Sequence, residues 1–112
     1  VQAFQYHEVK AMDVVQRADE SVFSLEMSGS FTFADHRVFR EILKKIEDDK
    51  TARKVIFRME RLEFVDSAAL GMLLLAHDAA SSAGKRLVIK GAAGQVKKMF
   101  ALAHFQRLFV LE

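Results

Sequence analysis

The sequence of 112 residues contains no cysteine, no proline and no tryptophan, and only five glycines. Without thiols, disulfide scaffolds, thiolate metal sites and cysteine nucleophiles are all excluded, and a reducing compartment is compatible with the chain. Without proline, turns must be built mainly from Gly, Asp and Ser. Long apolar runs are missing too. The longest, Met72–Ala76, is far below the ~20 residues that cross a bilayer, so no direct membrane insertion is expected. Nor is there an excess of one charge: 17 Lys and Arg face 15 Asp and Glu, a net +2, and charge alone points to no nucleic-acid partner. The stretch Val1–Lys10 mixes polar and charged groups among its apolar ones, unlike a signal peptide, and the expected location is cytoplasmic.

What is present fits one soluble globular domain over residues 1–112, able to bury roughly two-thirds of its unfolded surface. Residues 1–11 read as an irregular lead-in, followed by a strand near Met12–Gln16 and a turn over Arg17–Glu20. Val22, Phe23, Leu25 and Met27 alternate with polar residues until Gly29, giving a second strand that ends there. Phe39, Ile42, Leu43 and Ile46 fall at helical spacing. Thr32 and Asp35 form a weak capping box before that helix, and Asp48-Asp49-Lys50 its exit. Lys54–Met59 reads as an interior strand covered on both faces, followed by a charged link from Glu60 to Glu63. A helix from Ser67 to about Ser82 carries an inner stripe of Leu70, Leu73, Leu74 and His77, with Gly84 as its stop. Leu87–Ile89 is a short strand. Val96, Met99, Phe100 and Ala103 mark a third helix, and Leu108–Leu111 a closing strand. The order β-β-α-β-α-β-α-β predicts an α/β fold: a mixed, mostly parallel sheet of about five strands packed with about three main helices.

The usual catalytic patterns are absent. His7, His36, His77 and His104 have no ligand partner at helical spacing, so no metal site is expected, and His77 reads as a core or edge imidazole. Val65-Asp66-Ser67-Ala68-Ala69 lacks the glycines of a nucleophile elbow. Gly91-Ala92-Ala93-Gly94 has the spacing of a nucleic-acid clamp, but a strand precedes it and no basic or aromatic residue lies within it, so it reads as a strand-to-helix turn. No cofactor motif occurs, and the chain is not expected to be an enzyme.

Asp66-Ser67 carries the most information. It ends an apolar strand segment and starts a helix, where backbone N–H groups lack partners and the macrodipole is positive. One reading is a plain N-cap. The other is a modification site: a phosphoryl group on Ser67 adds about −1.5 to −2 charges at a terminus that tolerates anions, leaving the fold intact while altering the surface around Ala68, Ala69 and Met72. The two roles are compatible.

Phe64-Val65-Asp66-Ser67-Ala68-Ala69-Leu70-Gly71 resembles the strand-to-helix signature of the STAS domain, shared by bacterial anti-sigma factor antagonists and the cytoplasmic tails of sulphate transporters. The Gly29-Ser30-Phe31-Thr32 turn and Val96-Lys97-Lys98-Met99-Phe100 occur in the corresponding order, so the resemblance runs from about Val22 to the C-terminus. It implies an anti-sigma factor antagonist that holds a serine-kinase anti-sigma factor while Ser67 is unphosphorylated and releases it on phosphorylation, with a PP2C-type phosphatase reversing the change. Asp66 and Thr32 then support the acceptor. The implied partner surface comprises Gly29, Ser30, Phe31, Thr32, Glu63, Phe64, Ala68, Ala69 and Met72. Thr32 stands where many antagonists carry Asp, and the last helix starts from Ala92-Ala93-Gly94 and ends near His104, where relatives have other residues. Two alternatives stand beside this one. The first is a non-switching STAS subunit of a lipid-transport ATPase or stress-signalling scaffold, and the second is a sensor of nucleotides or other anions.

Overall fold

Alternation of apolar and polar residues along Val22–Phe31 makes the strand from which the sheet grows in both directions. In this computed structural model, which describes residues 12–19 and 21–112, β1 (Asp13–Asp19) pairs antiparallel with β2 (Val22–Phe31). β3 (Lys54–Val65), β4 (Arg86–Lys90) and β5 (Val110–Leu111) then add in parallel, so strand order in space equals strand order in sequence. Between them run α1 (His36–Asp48), α2 (Ser67–Ser82) and α3 (Gly94–Leu102), with single 3₁₀ turns at Phe33–Asp35 and Phe105–Arg107. The expected α/β architecture is the one observed. The predicted lead-in over 1–11 lies outside the described residues, as does Glu20.

Monotonic strand order has a topological consequence. Parallel crossovers are right-handed, and three successive ones stepping the same way deliver all their helices to the same face. Phe39, Ile42 and Ile46 of α1, Leu73, Ala76 and Ala80 of α2, and Val96 and Phe100 of α3 accordingly share one core cluster with Phe23, Leu25, Met27, Val55, Phe57 and Ile89. Ile56 and Val88 are buried but stand outside that cluster, on the other face. The expectation of an interior strand covered on both faces agrees with the burial of Val55, Ile56 and Phe57, although the three crossover helices all lie on one face. Its second face presents Lys54 and Arg58 on either side of Ile56.

Several boundaries move for local reasons. β1 continues through Arg17 to Asp19 because its pairing with β2 runs to Asp19 opposite Val22. Gly29 does not end β2: with φ at 84° it sits at a register shift in the pairing with β3, a bulge that the strand passes through. The charged link after Met59 is also strand. β4 pairs with β3 only as far as Arg58 opposite Lys90, so Glu60, Arg61 and Glu63 lie on a less covered stretch and remain solvated while Leu62 points into the core. In α2 the buried positions are Ala69, Leu73, Ala76, Ala79 and Ala80, a small-residue stripe rotated from the predicted one, and Leu74 is exposed. Half-buried His77 meets Phe109 edge-on at 5.4 Å. Ala103 is exposed as the C-cap of α3, and the closing strand shrinks to Val110–Leu111 because Phe105–Arg107 forms a 3₁₀ turn first. Gly91-Ala92-Ala93-Gly94 is the strand-to-helix turn expected, linking β4 to α3.

Two positions yield tests of this architecture. His104 is exposed and follows the C-cap of α3 with φ at 57°, in the left-handed region that glycine enters at no steric cost. His104→Gly is expected to stabilise the protein by about 1 kcal/mol, raising the Tm by about 4 °C in thermal unfolding. Beyond α1, the Asp49 carboxylate accepts the N–H groups of Ala52 (2.8 Å) and Thr51 (2.7 Å). These bonds, Ala52 first, hold its pKa below the ordinary 3.8, helped by the Thr51 hydroxyl and the charge of Lys85 and opposed by desolvation. A lowered folded-state pKa gives stability that is present above the unfolded value and lost as pH falls through the folded one. In acid titrations followed by circular dichroism, the stability gap between wild type and Asp49→Asn should be constant well above pH 3.8 and shrink below it.

Candidate functional site at the start of the second helix

The site is made where β2 and β3 end side by side. Their parallel register closes with Phe31 opposite Val65, so the turns leaving both strands emerge together at the carboxyl end of the sheet, where α/β folds place their sites. After β2, Thr32 and Asp35 form a reciprocal capping box. The Thr32 hydroxyl accepts from Ala34 N (3.3 Å), and Asp35 Oδ2 accepts from Thr32 N (2.9 Å). The expected box is present, though it closes the 3₁₀ turn that leads into α1. Asp35 is buried, and its second oxygen accepts from Met12 N at 3.3 Å, tying in the start of the described chain.

After β3, Asp66 has extended backbone geometry and caps α2, with Oδ1 accepting from Ala69 N at 2.8 Å. Its other oxygen, Oδ2, accepts from Phe33 N at 3.1 Å, and its own N–H donates to Phe31 O. One side chain thus starts the helix and binds the neighbouring turn. Ser67, the first residue of α2, is exposed, and its hydroxyl makes no hydrogen bond among the described residues. Of the two readings of Asp66-Ser67, capping therefore falls to the aspartate. The serine oxygen remains free beside a positive helix terminus.

The residues expected on a partner surface divide by burial. Glu63 and Phe64 are exposed; Gly29, Ser30, Thr32, Ala68 and Met72 are half-buried, and Met72 also packs against the core. Phe31 and Ala69 are fully buried and are removed from the surface. Phe31 points inward because it is the last inward residue of β2, its ring packed at a tilt against Phe39 with centroids 4.9 Å apart. Ala69 lies on the stripe of α2 that faces the sheet.

Two residues missed by the sequence complete the site. Phe33 is 64% exposed, its backbone held by Asp66 and its ring stacked on His36 at 4.7 Å, while its carbonyl lies 2.9 Å from His36 Nδ1. An aromatic side chain fixed at both ends in solvent is a contact residue in form. Its sequence context, inside a capping box, drew attention to its neighbours instead. Gln95 at the start of α3 bonds to both sides of Val65, Oε1 accepting its N–H (3.0 Å) and Nε2 donating to its carbonyl (2.9 Å). The side-chain amide replaces the strand partner that β3 lacks beyond Arg58. No local pattern announces this, because Gln95 and Val65 are 30 positions apart.

Substitutions separate the two roles at the turn. Asp66→Ala strands the N–H groups of Ala69 and Phe33 and should cost about 1–2 kcal/mol in urea unfolding. Ser67→Ala should change stability by less than about 0.5 kcal/mol.

The sequence profile of the STAS domain matches residues 13–112. A STAS-domain containing protein of Pseudomonas aeruginosa (strain UCBPP-PA14) is 28% identical over 99 residues, covering 88% of this chain and 96% of that protein. An anti-sigma factor antagonist from Mycobacterium paratuberculosis has a similar structure, with a TM-score of 0.78 at 12% identity over 90% of this chain and 85% of its own. The Bacillus cell fate determinant SpoIIAA in its phosphorylated form gives 0.63 at 17% identity over 91% of both chains. At these identities the structural likeness speaks to the fold, a five-stranded mixed sheet with three main helices on the SpoIIAA plan. With the profile running from the first described strand to the last residue, the chain belongs to the STAS domain family.

Proposed function

We propose that this STAS domain is an anti-sigma factor antagonist controlled by phosphorylation, a cytoplasmic module that regulates transcription by exchanging partners. Unphosphorylated, it holds an anti-sigma factor that is also a serine kinase. The kinase moves the γ-phosphoryl group of ATP to Ser67 Oγ, the complex separates, and a PP2C-type phosphatase restores the hydroxyl. In this cycle the chain is ligand and substrate, not an enzyme. The observation that carries the reading is the unengaged, exposed hydroxyl of Ser67 beside a helix cap supplied wholly by Asp66. Resemblance to antagonists, one of them solved in a phosphorylated form, supports it.

The chemistry is differential. A phosphoryl group at the start of α2 meets a favourable dipole, so the fold tolerates it, whereas a partner covering Ser67 must desolvate a dianion beside the Asp66 carboxylate. Moving a partner from nearly all bound to nearly all free takes about 10⁴-fold in affinity, or ~5.5 kcal/mol. Phe33 and Phe64 flank the turn as exposed aromatic anchors. Gly71, one helical turn on from Ser67, is exposed with open space where a Cβ would stand. Nothing among the described residues requires glycine there, although it costs about 1 kcal/mol relative to alanine in a helix interior. Close approach of a partner to this face accounts for it.

The test is incubation with ATP and each serine-kinase anti-sigma factor of the same genome, followed by intact-mass and binding measurements. One phosphoryl group is expected on wild type and none on Ser67→Ala, with binding lost in the modified protein. Phe33→Ala should weaken the unmodified complex about tenfold without lowering the Tm. No mass gain with any such kinase, or equal binding before and after modification, rejects the reading.

A further inference from the structure

The end of the strand that delivers Ser67 is held from two sides, and one of those holds is a single side chain. β4 stops pairing with β3 at Arg58, so beyond that point β3 keeps β2 on one flank and, among the described residues, no strand on the other. Gln95 takes the vacant place at Val65. Its Oε1 accepts the Val65 N–H (3.0 Å) and its Nε2 donates to the Val65 carbonyl (2.9 Å). An amide presents a donor and an acceptor side by side, as a neighbouring strand does. The effect reaches past Val65, because its carbonyl shares a planar peptide unit with the Asp66 N–H, which donates to Phe31 O of β2 at 3.3 Å. That unit is gripped from both flanks, and the shorter bond is the one from Gln95.

The third helix forgoes a cap of its own to do this. Its N-cap, Ala93, makes no side-chain hydrogen bond, and Gln95, in the first turn, bonds to β3 and not to the orphan N–H groups of α3. Gly94 has φ at 56° with open space where a Cβ would stand, so backbone conformation and not crowding calls for glycine at the step that turns α3 across the end of β3.

We propose that Gln95 is the positioning residue for phosphoryl transfer to Ser67, fixing where the hydroxyl stands relative to the surface on which the kinase docks, a role that rests on the reading of Ser67 as acceptor. In that step the Oγ–phosphorus bond forms as the bond from phosphorus to the β,γ-bridging oxygen breaks, ADP leaves, and the hydroxyl proton passes to a base of the kinase. Ser67 is the first residue of a helix, so the folded turn itself must bring Oγ to the γ-phosphoryl group. Reacting atoms need to stand about 3–3.5 Å apart, and a misplacement of about 1 Å costs about a hundredfold in rate. Asp66 ties the turn to Phe33 and to α2, and Gln95 supplies the anchor from α3. The exposed aromatic contacts do not depend on that anchor. Phe33 stacks on His36 of α1, and Phe64 lies opposite Ser30 of β2. Loss of the clamp therefore slows transfer more than it weakens docking.

The test follows transfer from ATP to the full chain by the serine-kinase anti-sigma factor that modifies the wild type, with kcat, KM and the Kd of the unmodified complex measured separately. Gln95→Leu removes both bonds at similar volume. Gln95→Glu keeps an acceptor for the Val65 N–H and supplies a second variant should the first not fold. Each is expected to lower kcat at least about tenfold, with KM and Kd changed less than about twofold. Asp49→Asn is the control for stability alone: Asp49 braces the turn before β3, at the other end of that strand, so the Tm should fall while kcat stays at the wild-type value. Three results overturn the inference and leave Ser67 as acceptor: wild-type kcat in the Gln95 variants, an equal loss in Asp49→Asn, or a rise in KM with kcat unchanged. If the wild type gains no phosphoryl group from any such kinase, the acceptor reading falls and this inference with it.

Discussion

Both oxygens of the Asp66 carboxylate are committed, and much of the site follows from that. One starts α2 and the other fixes Phe33, so two turns that are 33 positions apart in the chain behave as one surface. A serine in the capping position would keep its oxygen engaged with the helix. Here the capping oxygen belongs to a carboxylate one residue earlier, and Ser67 begins the helix proper with its hydroxyl turned to solvent. Asp35 repeats the device next door from a buried position, binding Thr32 and Met12. The exposed elements of the site thus rest on backbone groups satisfied by two aspartates, with Ser67 exposed between them.

A second constraint is topological. Strands added in sequence order by right-handed crossovers put α1, α2 and α3 on one face, leaving the sheet with two unlike sides. The helical side supplies the core and the Ser67 turn. The other side is assembled from the alternate residues of the same strands: in β3, Val55 and Phe57 point into the core while Lys54, Ile56 and Arg58 face the other way. The two surfaces share strands without sharing side chains, and a change on one need not disturb the packing behind the other.

Much of the fold was legible because its period is strong. The α1 stripe of Phe39, Ile42 and Ile46 and the β-branched run at Val55-Ile56 declared themselves, as did the Asp66-Ser67 junction. Misreadings cluster where charge or glycine interrupts an element. Glu60, Arg61 and Glu63 looked like a link because a half-covered strand tolerates charges that a central one excludes. Gly29 looked like an end because a bulge and a terminus use the same residue. In α2 nearly every position is apolar or small, so the helix could be located but not oriented, and Ala69 was placed on the surface while Leu74 was placed inside.

The sequence by itself determined the order of elements, the capping box at Thr32 and Asp35, and the coincidence of a serine with a helix start, since these depend on residues within a few positions of one another. Only the tertiary structure decided which of Asp66 and Ser67 caps the helix, that Phe31 and Ala69 are buried while Phe33 stands in solvent, and that Gln95 completes β3. It also decided that Lys54 faces Arg86 and Arg58 faces Lys90. Those outcomes depend on strand register and on which face the crossovers cover, and both are set by contacts between segments far apart in the chain.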